Sequence, residues 1–393
     1  MSILLIVIGI VMFMILILLH EFGHFRAAKK TGVKVNEFWI GLPPRICTLW
    51  TDKSGTKYTL NVIPLWGFCA LEGEDPSKPE TFSAKDSFIS ASLRKKIIIV
   101  LWGVSMNILT AWVFFTILFV HGVQPLGISS DETSESYLIS SQTFLKQEGF
   151  LSGSLSSGIL ITEVFPDSLA ESYDLQPDMV VYRLNDQEVD IANFATLVSD
   201  MSNQTFDLDL WNEIRSITCP ETCKLWVAIA SNADVEIVDI KFWLWKAMLA
   251  GLHEIWAERT LTLKAFGSLG RGLFSFNKDK MADAFNMLAW PVGAVKMGEL
   301  FYQAWGWIAY LAFAGIISLA LAIFNLLPIP ALDGGRGIWV IIQRIFSIKP
   351  EKYFKWEAIV NTVVFYLLMA LGLVIIVKDL VVFWQLPLPF LGG

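Results

Sequence analysis

Leu16-Ile-Leu-Leu-His20-Glu21-Phe22-Gly23-His24-Phe25 closes an apolar run that starts at Ser2 and carries no charge before Glu21. At 1.5 Å per residue, Ser2 to Leu19 crosses most of a hydrocarbon layer about 30 Å thick. No basic residue precedes the run and no small-residue cleavage site follows it, so the expectation is an uncleaved membrane helix. His20, Glu21 and His24 then fall close to the inner boundary of the hydrocarbon, where ionisable groups are costly and need partners. The two histidines are four residues apart, so both imidazoles leave one face of the helix.

That spacing, with a glutamate directly after the first histidine, suits zinc: the imidazoles bind the ion and the carboxylate takes a proton from the water it activates. The plain alternative is a pair of histidines snorkelling at a helix end. Only four histidines occur in the chain, and two of them at this spacing around a glutamate in lipid favour the metal. A catalytic zinc takes three protein ligands and keeps one position open. His121 and His253 fall on the wrong side of the membrane. Asp333, in Asn325-Leu-Leu-Pro-Ile-Pro-Ala-Leu-Asp-Gly-Gly335, falls just past the inner end of another apolar segment. Taken alone, Asp-Gly there reads as an interfacial turn; beside the histidine pair it is the leading third ligand.

The composition agrees with a membrane protein. Of 393 residues, 54% are hydrophobic and only 17% charged, where about 25% charged is usual. A mean hydropathy of +0.54 excludes intrinsic disorder. The net charge of −7 gives no basic surface for nucleic acid, and four cysteines exclude a disulfide scaffold. Further spans are expected over Ile97 to Val120, about Ile308 to Leu327 (stopped by Pro328 and Pro330), and about Ile359 to Val377. Lys29, Lys30 and Lys34, then Arg94 to Lys96, then Arg336, Arg344, Lys349, Lys352 and Lys355 flank three of these span ends, which makes those ends cytoplasmic. Both termini and the acidic stretch from His121 to Leu300 then face outward, and Asp333 shares a leaflet with the first motif.

With these residues in view, the chain resembles the site-2 protease family of intramembrane zinc metalloproteases, in the bacterial branch with an external PDZ domain, similar to the regulator of sigma-E protease. The resemblance rests on His20-Glu-Phe-Gly-His-Phe25, on Asn325 to Arg336, and on their order and separation. It implies that His20, His24 and Asp333 ligate zinc and that Glu21 is the general base. Asn325, Pro328 and Pro330 match positions near the substrate, and Asn107 in Trp102-Gly-Val-Ser-Met-Asn107 matches a family asparagine. The implied fold is a polytopic α-helical membrane protein with about four transmembrane helices, a membrane-associated β-hairpin and an inserted external α+β PDZ domain. The implied setting is the bacterial cytoplasmic membrane, with single-pass membrane proteins as substrates, such as anti-sigma factors or signal-peptide remnants.

In that scheme residues 1–120 are an N-terminal membrane core with the hairpin at 35–67, and 121–154 are a Ser-rich linker. Residues 155–240 are the PDZ domain, whose sheet edge takes a peptide or protein tail by strand addition. Residues 301–393 complete the membrane core. The hairpin is read from strand alternation around Ser54-Gly55; the alternative is a soluble cytoplasmic hairpin. Asp174 and Pro177 depart from the PDZ pattern, which has Gly there, and bulky Trp66, Trp102 and Trp290 stand where the family often has small residues or Pro. Residues 241–300 are expected as an external interfacial segment. Its part from Phe242 to Trp256 reads either as an amphipathic helix on the membrane surface or as a packed helix of the external domain. Cys219 and Cys223 can form a disulfide outside the cell, whereas Cys47 and Cys69 have no assigned chemistry. The rival reading of the whole is a non-catalytic PDZ membrane adaptor with a structural or empty metal site.

Overall fold

The computed structural model describes residues 3–74, 84–128, 132–165, 168–190, 193–210, 213–220, 223, 225, 227–273, 275, 291–348 and 350–384. Trp290 and part of the Ser-rich stretch (129–131) therefore lie outside the described residues. The chain forms two compact units, residues 1–123 with 241–393, and residues 124–240.

In the first unit, α1 (Ile3–Thr31) is apolar all round until its last turns, as a helix in lipid should be. It ends at Gly32, whose φ of +80° suits a residue without a side chain. Strands β1 (Val35–Thr51) and β2 (Lys57–Leu71) follow. Each is long and bent, so the pair makes more than a simple hairpin. Residues 35–40 pair with 57–60 on one side and with 67–71 on the other, while 45–51 pair with 57–61. The outcome is four short strands with 45–51 and 67–71 at the edges. Pro43, Pro44 and Pro64 fall between these paired stretches, where a missing N–H does least harm to the ladder. At the tip, Asp52 accepts hydrogen bonds from the Ser54 and Thr56 amides at 2.9 and 3.0 Å, and from Lys29 of α1 at 2.9 Å. The Ser54 hydroxyl and Lys29 hold the Asp52 carboxyl below the usual carboxylate range, against the cost of burial.

Helix α2 (Leu93–His121) packs against α1 through glycines. A Cβ on Gly23 would stand 2.5 Å from the Trp102 carbonyl oxygen and 2.9 Å from Gly103 Cα, so the two backbones approach as only small residues permit. A further long helix of this unit is Pro291–Leu326, broken at Gly306 (φ +75°), and a shorter one, Asp333–Ile345, follows the turn at Pro328 to Leu332. Pro350–Trp384 is the last. Among the described residues, four helical stretches are long and apolar enough to cross a membrane: Val7–Thr31, Leu93–His121, Gly306–Leu326 and Trp356–Asp379.

In the second unit, strands β3 (Gly127–Ile128) and β4 (Ile139–Ser140) pair in parallel, and helix α3 (Gln142–Gln147) follows. The linker expected there gives way to ordered structure, because its serines serve as local hydrogen-bonding groups. Ser136 Oγ accepts from the Leu138 and Ile139 amides at 3.1 and 2.9 Å, and Ser141 caps α3 by accepting from Phe144 N. A sheet then runs from β5 (Leu151–Val164) through β6 (Val180–Leu184), β7 (Gln187–Glu188), β8 (Thr205–Leu210) and β9 (Ile214–Thr218) to β10 (Val227–Ile237). Its order is β10-β5-β6-β8-β9, with β7 on β6. Ile159, Ile161, Val181, Leu184, Phe206, Leu208 and Ile217 fill one core beneath α4 (Leu169–Ser172) and α5 (Phe194–Ser199). Cys219 and Cys223 are disulfide-bonded inside that core, with Cα atoms 5.2 Å apart. Asp174 adopts φ +55°, and after Pro177 it is Asp178 that takes φ +70°. Aspartate tolerates this left-handed region, which explains how these positions dispense with glycine.

After β10 the chain enters α6 (Leu244–Leu273), which belongs with the first unit. Trp112 Nε1–H donates to the Met248 carbonyl at 2.9 Å, and Gly251 faces Trp112 and Thr116, so α6 lies against α2. Phe266 reaches Phe324, with ring centroids 6.2 Å apart. The helix thus packs on the membrane core, while Trp243, Trp245 and Trp256 stay exposed. In the order of the chain, Pro291–Leu326, Asp333–Ile345 and Pro350–Trp384 are α7, α8 and α9.

Candidate metal centre

His20 and His24 occupy successive turns near the end of α1, and Asp333 is the first residue of α8. The three side chains converge. Asp333 Oδ2 lies 2.9 Å from His20 Nε2 and 3.1 Å from His24 Nε2, and the two nitrogens are 3.2 Å apart. All three ligand atoms fall within 4.8 Å of one another, the one such His, Cys, Asp or Glu cluster among the described residues. A tetrahedral zinc about 2.0–2.1 Å from each ligand atom spaces those atoms roughly 3.3 Å apart, close to this triangle.

The donor set also fits a cation. His24 Nδ1 is 2.8 Å from the Ile99 carbonyl, an acceptor only, so Nδ1 carries the proton and Nε2 turns its lone pair toward the cluster. Asp333 Oδ2 is buried and makes no hydrogen bond of sound geometry, despite its short distances to both nitrogens. Lone pairs meeting at one point without a proton between them are what an ion requires.

The local sequence explains the convergence. A Cβ on Gly103 would lie 2.4 Å from His24 Nε2 and 2.9 Å from His20 Cε1, so glycine in α2 leaves the space that the rings fill. Gly334 and Gly335 let α8 start against its own preceding turn, where a Cβ would sit 2.3 Å from the Leu326 carbonyl oxygen or 2.1 Å from that of Ile329. Glu21 lies in electrostatic reach of His20, His24 and Asp333, and Cys69 in β2 offers it a backbone N–H.

The remaining expected residues are placed less tightly. Asn107 is one turn beyond Gly103 on α2 and is buried; its side-chain amide has no hydrogen-bond partner among the described residues, while its backbone carbonyl accepts from Ser318 Oγ at 2.9 Å. Asn325 is half-buried at the end of α7, with Pro330 half-buried and Pro328 exposed in the turn toward Asp333. The Trp102 side chain is exposed, and its backbone carbonyl lies against Gly23 of α1. Sequence reasoning missed Gly23, Gly103 and Ile99, whose roles are contacts of backbone across helices. It also missed Asn361 of α9, whose Oδ1 accepts from the Ala331 amide at 3.0 Å. Gly23 within the histidine motif, and Gly103 four residues before Asn107, were the available signals.

A family model for peptidase family M50 matches residues 8–371. The chain belongs to peptidase family M50. It is accordingly a membrane metalloprotease, a hydrolase that uses zinc, and the adaptor reading falls away. Relatives named as zinc metalloproteases occur in Nostoc sp., 25% identical with 93% of each chain covered, and in Fusobacterium nucleatum, 27% identical with 96% of this chain and 98% of the relative covered. The protease eep of Enterococcus faecalis is 27% identical, with 94% of this chain and 97% of that protein covered.

Proposed function

We propose that this M50 protease cleaves transmembrane segments of single-pass membrane proteins, with His20, His24 and Asp333 holding zinc and Glu21 as general base. The convergence of three donors from α1 and α8 within 4.8 Å carries this reading. Bound zinc supplies Lewis acidity, making water a nucleophile near neutral pH and polarising the scissile carbonyl. Glu21 accepts the proton of the attacking water and returns it to the nitrogen of the leaving amine. The buried Asn107 amide offers a donor and an acceptor to a substrate backbone that has lost its helical hydrogen bonds. Asn325, Pro328 and Pro330, between α7 and Asp333, are assigned to substrate contact on the family resemblance. The β1–β2 sheet serves as the membrane-associated element that receives the unwound strand, since an edge supplies hydrogen bonds that lipid lacks.

The second unit is assigned as an external PDZ domain that receives a protein tail, and the metal centre to the cytoplasmic leaflet of a bacterial inner membrane. Lys and Arg at three span ends support that orientation, and so does the Cys219–Cys223 disulfide, which an oxidising compartment preserves. Regulated intramembrane proteolysis, of anti-sigma factors or signal-peptide remnants, is the physiological role this implies.

The test is cleavage of a single-pass helical substrate in liposomes by the intact chain and by Glu21→Gln at matched, measured zinc content. Cleavage by the intact chain alone is expected. Equal cleavage by both removes Glu21 from the mechanism.

A further inference from the structure

The edge stretch 67–71 of β2 runs past Glu21, and the residue that follows it by three, Glu74, pairs with α8. Toward α1, a Cβ on Gly67 would sit 3.3 Å from Glu21 Cγ, and the Cys69 N–H is offered to the Glu21 carboxylate. Toward α8, the Leu71 amide donates to Glu74 Oε2 at 3.0 Å, and the other oxygen of that carboxylate pairs with Arg336 Nη2. Arg336 stands in the first turn of α8, three residues after Asp333, and its own amide bonds to the Leu332 carbonyl at 3.0 Å. The guanidinium lies over the Phe88 ring, 4.5 Å from its centroid, and the buried Glu357 of α9 adds a second negative charge to it. The Glu74 side chain is 10% exposed and that of Arg336 28%.

A largely buried ion pair adds little net stability, because desolvation consumes most of the attraction, but it keeps its two charges together. Glu74 also spends one oxygen on the strand itself, so the pair ties two specific pieces of backbone together. We propose that Glu74 and Arg336 are positioning residues: their ion pair fastens the helix that begins at Asp333 to the same strand that holds Glu21. The inference rests on the roles proposed above for Glu21 and Asp333. Through this tie the spacing between general base and third ligand is set by β2, although the two residues come from opposite ends of the chain. A displacement of stretch 67–71 reaches both groups together.

The experiment uses the full chain in detergent, with Glu74→Gln, Arg336→Gln, the double variant of the two, and Arg344→Gln at the exposed end of α8 as control. The readouts are kcat and KM on a single-pass helical substrate, and zinc affinity by competition with a chromogenic chelator. Partners of metal ligands typically contribute ten- to hundredfold to affinity or activity. Each single variant should therefore lower kcat about ten- to hundredfold with KM within about twofold, and weaken zinc binding about tenfold. The double variant leaves no unpaired charge between the two positions and so guards against a single variant that does not fold. Its loss should match one single variant rather than the product of both, as residues acting as one unit do. Wild-type kcat and zinc affinity in the double variant overturn the proposal, and so do losses that multiply. If Asp333→Asn leaves zinc affinity unchanged, the ligand assignment itself fails; if Asp333→Asn weakens zinc while the double variant does not, the tie alone fails.

Discussion

The first and last membrane helices are alike in composition and unlike in use. Their most apolar windows have mean hydropathies of 2.0 and 2.6, yet 28% of the first is buried inside the protein against 6% of the last. Apolarity alone places a helix in lipid, where it gains nothing by leaving lipid for protein. Contact between helices must come from small residues and polar groups. On α1 these are Gly23, His20, Glu21 and His24, crowded against Gly103 and Asp333. On α9 the buried positions are sparse (Glu357, Ile375 and Asp379 among them), and one amide, Asn361, reaches the turn before Asp333.

Substitutions can break this contrast, and the largest effect is expected at Glu21. Glu21→Gln should lower kcat at least about a thousandfold with zinc content unchanged, since general acid–base catalysis contributes on that scale. Single-turnover cleavage at measured zinc stoichiometry checks it. Next comes Gly103→Ala, whose added methyl meets His24 at a distance no real Cβ tolerates. A shifted ligand should cost about ten- to hundredfold in activity together with zinc affinity, measured by chelator competition. Asn361→Ala on α9 should cost no more than a few-fold. The Ala331 amide it frees is in an exposed residue, and one neutral hydrogen bond is worth about 1 kcal/mol. Leu367→Ala, at a position 63% exposed, should leave kcat unchanged within error. An Asn361 or Leu367 effect as large as that of Gly103 would mean that α9 is as tightly built into the site as α1.

The legible parts of the site were those whose chemistry is local in sequence. His20, Glu21 and His24 declare their spacing on one helix, and Asp333 was reachable because Lys and Arg beside the spans placed it in the same leaflet. Gly103 was missed, because nothing in α2 by itself shows that two imidazoles need its space. The Ser-rich stretch before β5 was read as a linker since serine composition reports polarity, whereas its ordering depends on hydroxyls finding backbone partners a few residues away. The segment after β10 was read as external because its charges and tryptophans suit an interface. Its packing on α2 depends on Ala247, Ala250 and Gly251 forming a narrow face, which composition does not reveal.

By itself, then, the sequence determined that the chain carries apolar helices long enough to cross a membrane, and that a histidine pair with its glutamate stands near the C-terminal end of the first. Those properties follow from hydrophobic length and helical periodicity, which are local. Tertiary structure decided that Asp333 meets those histidines, that two glycines clear the room, and that one bent strand lies against the glutamate and is tied through Glu74 to the helix of the third ligand. Each of these is a distance between backbones far apart in the chain, and it is set by which small residues happen to face each other once the helices pack.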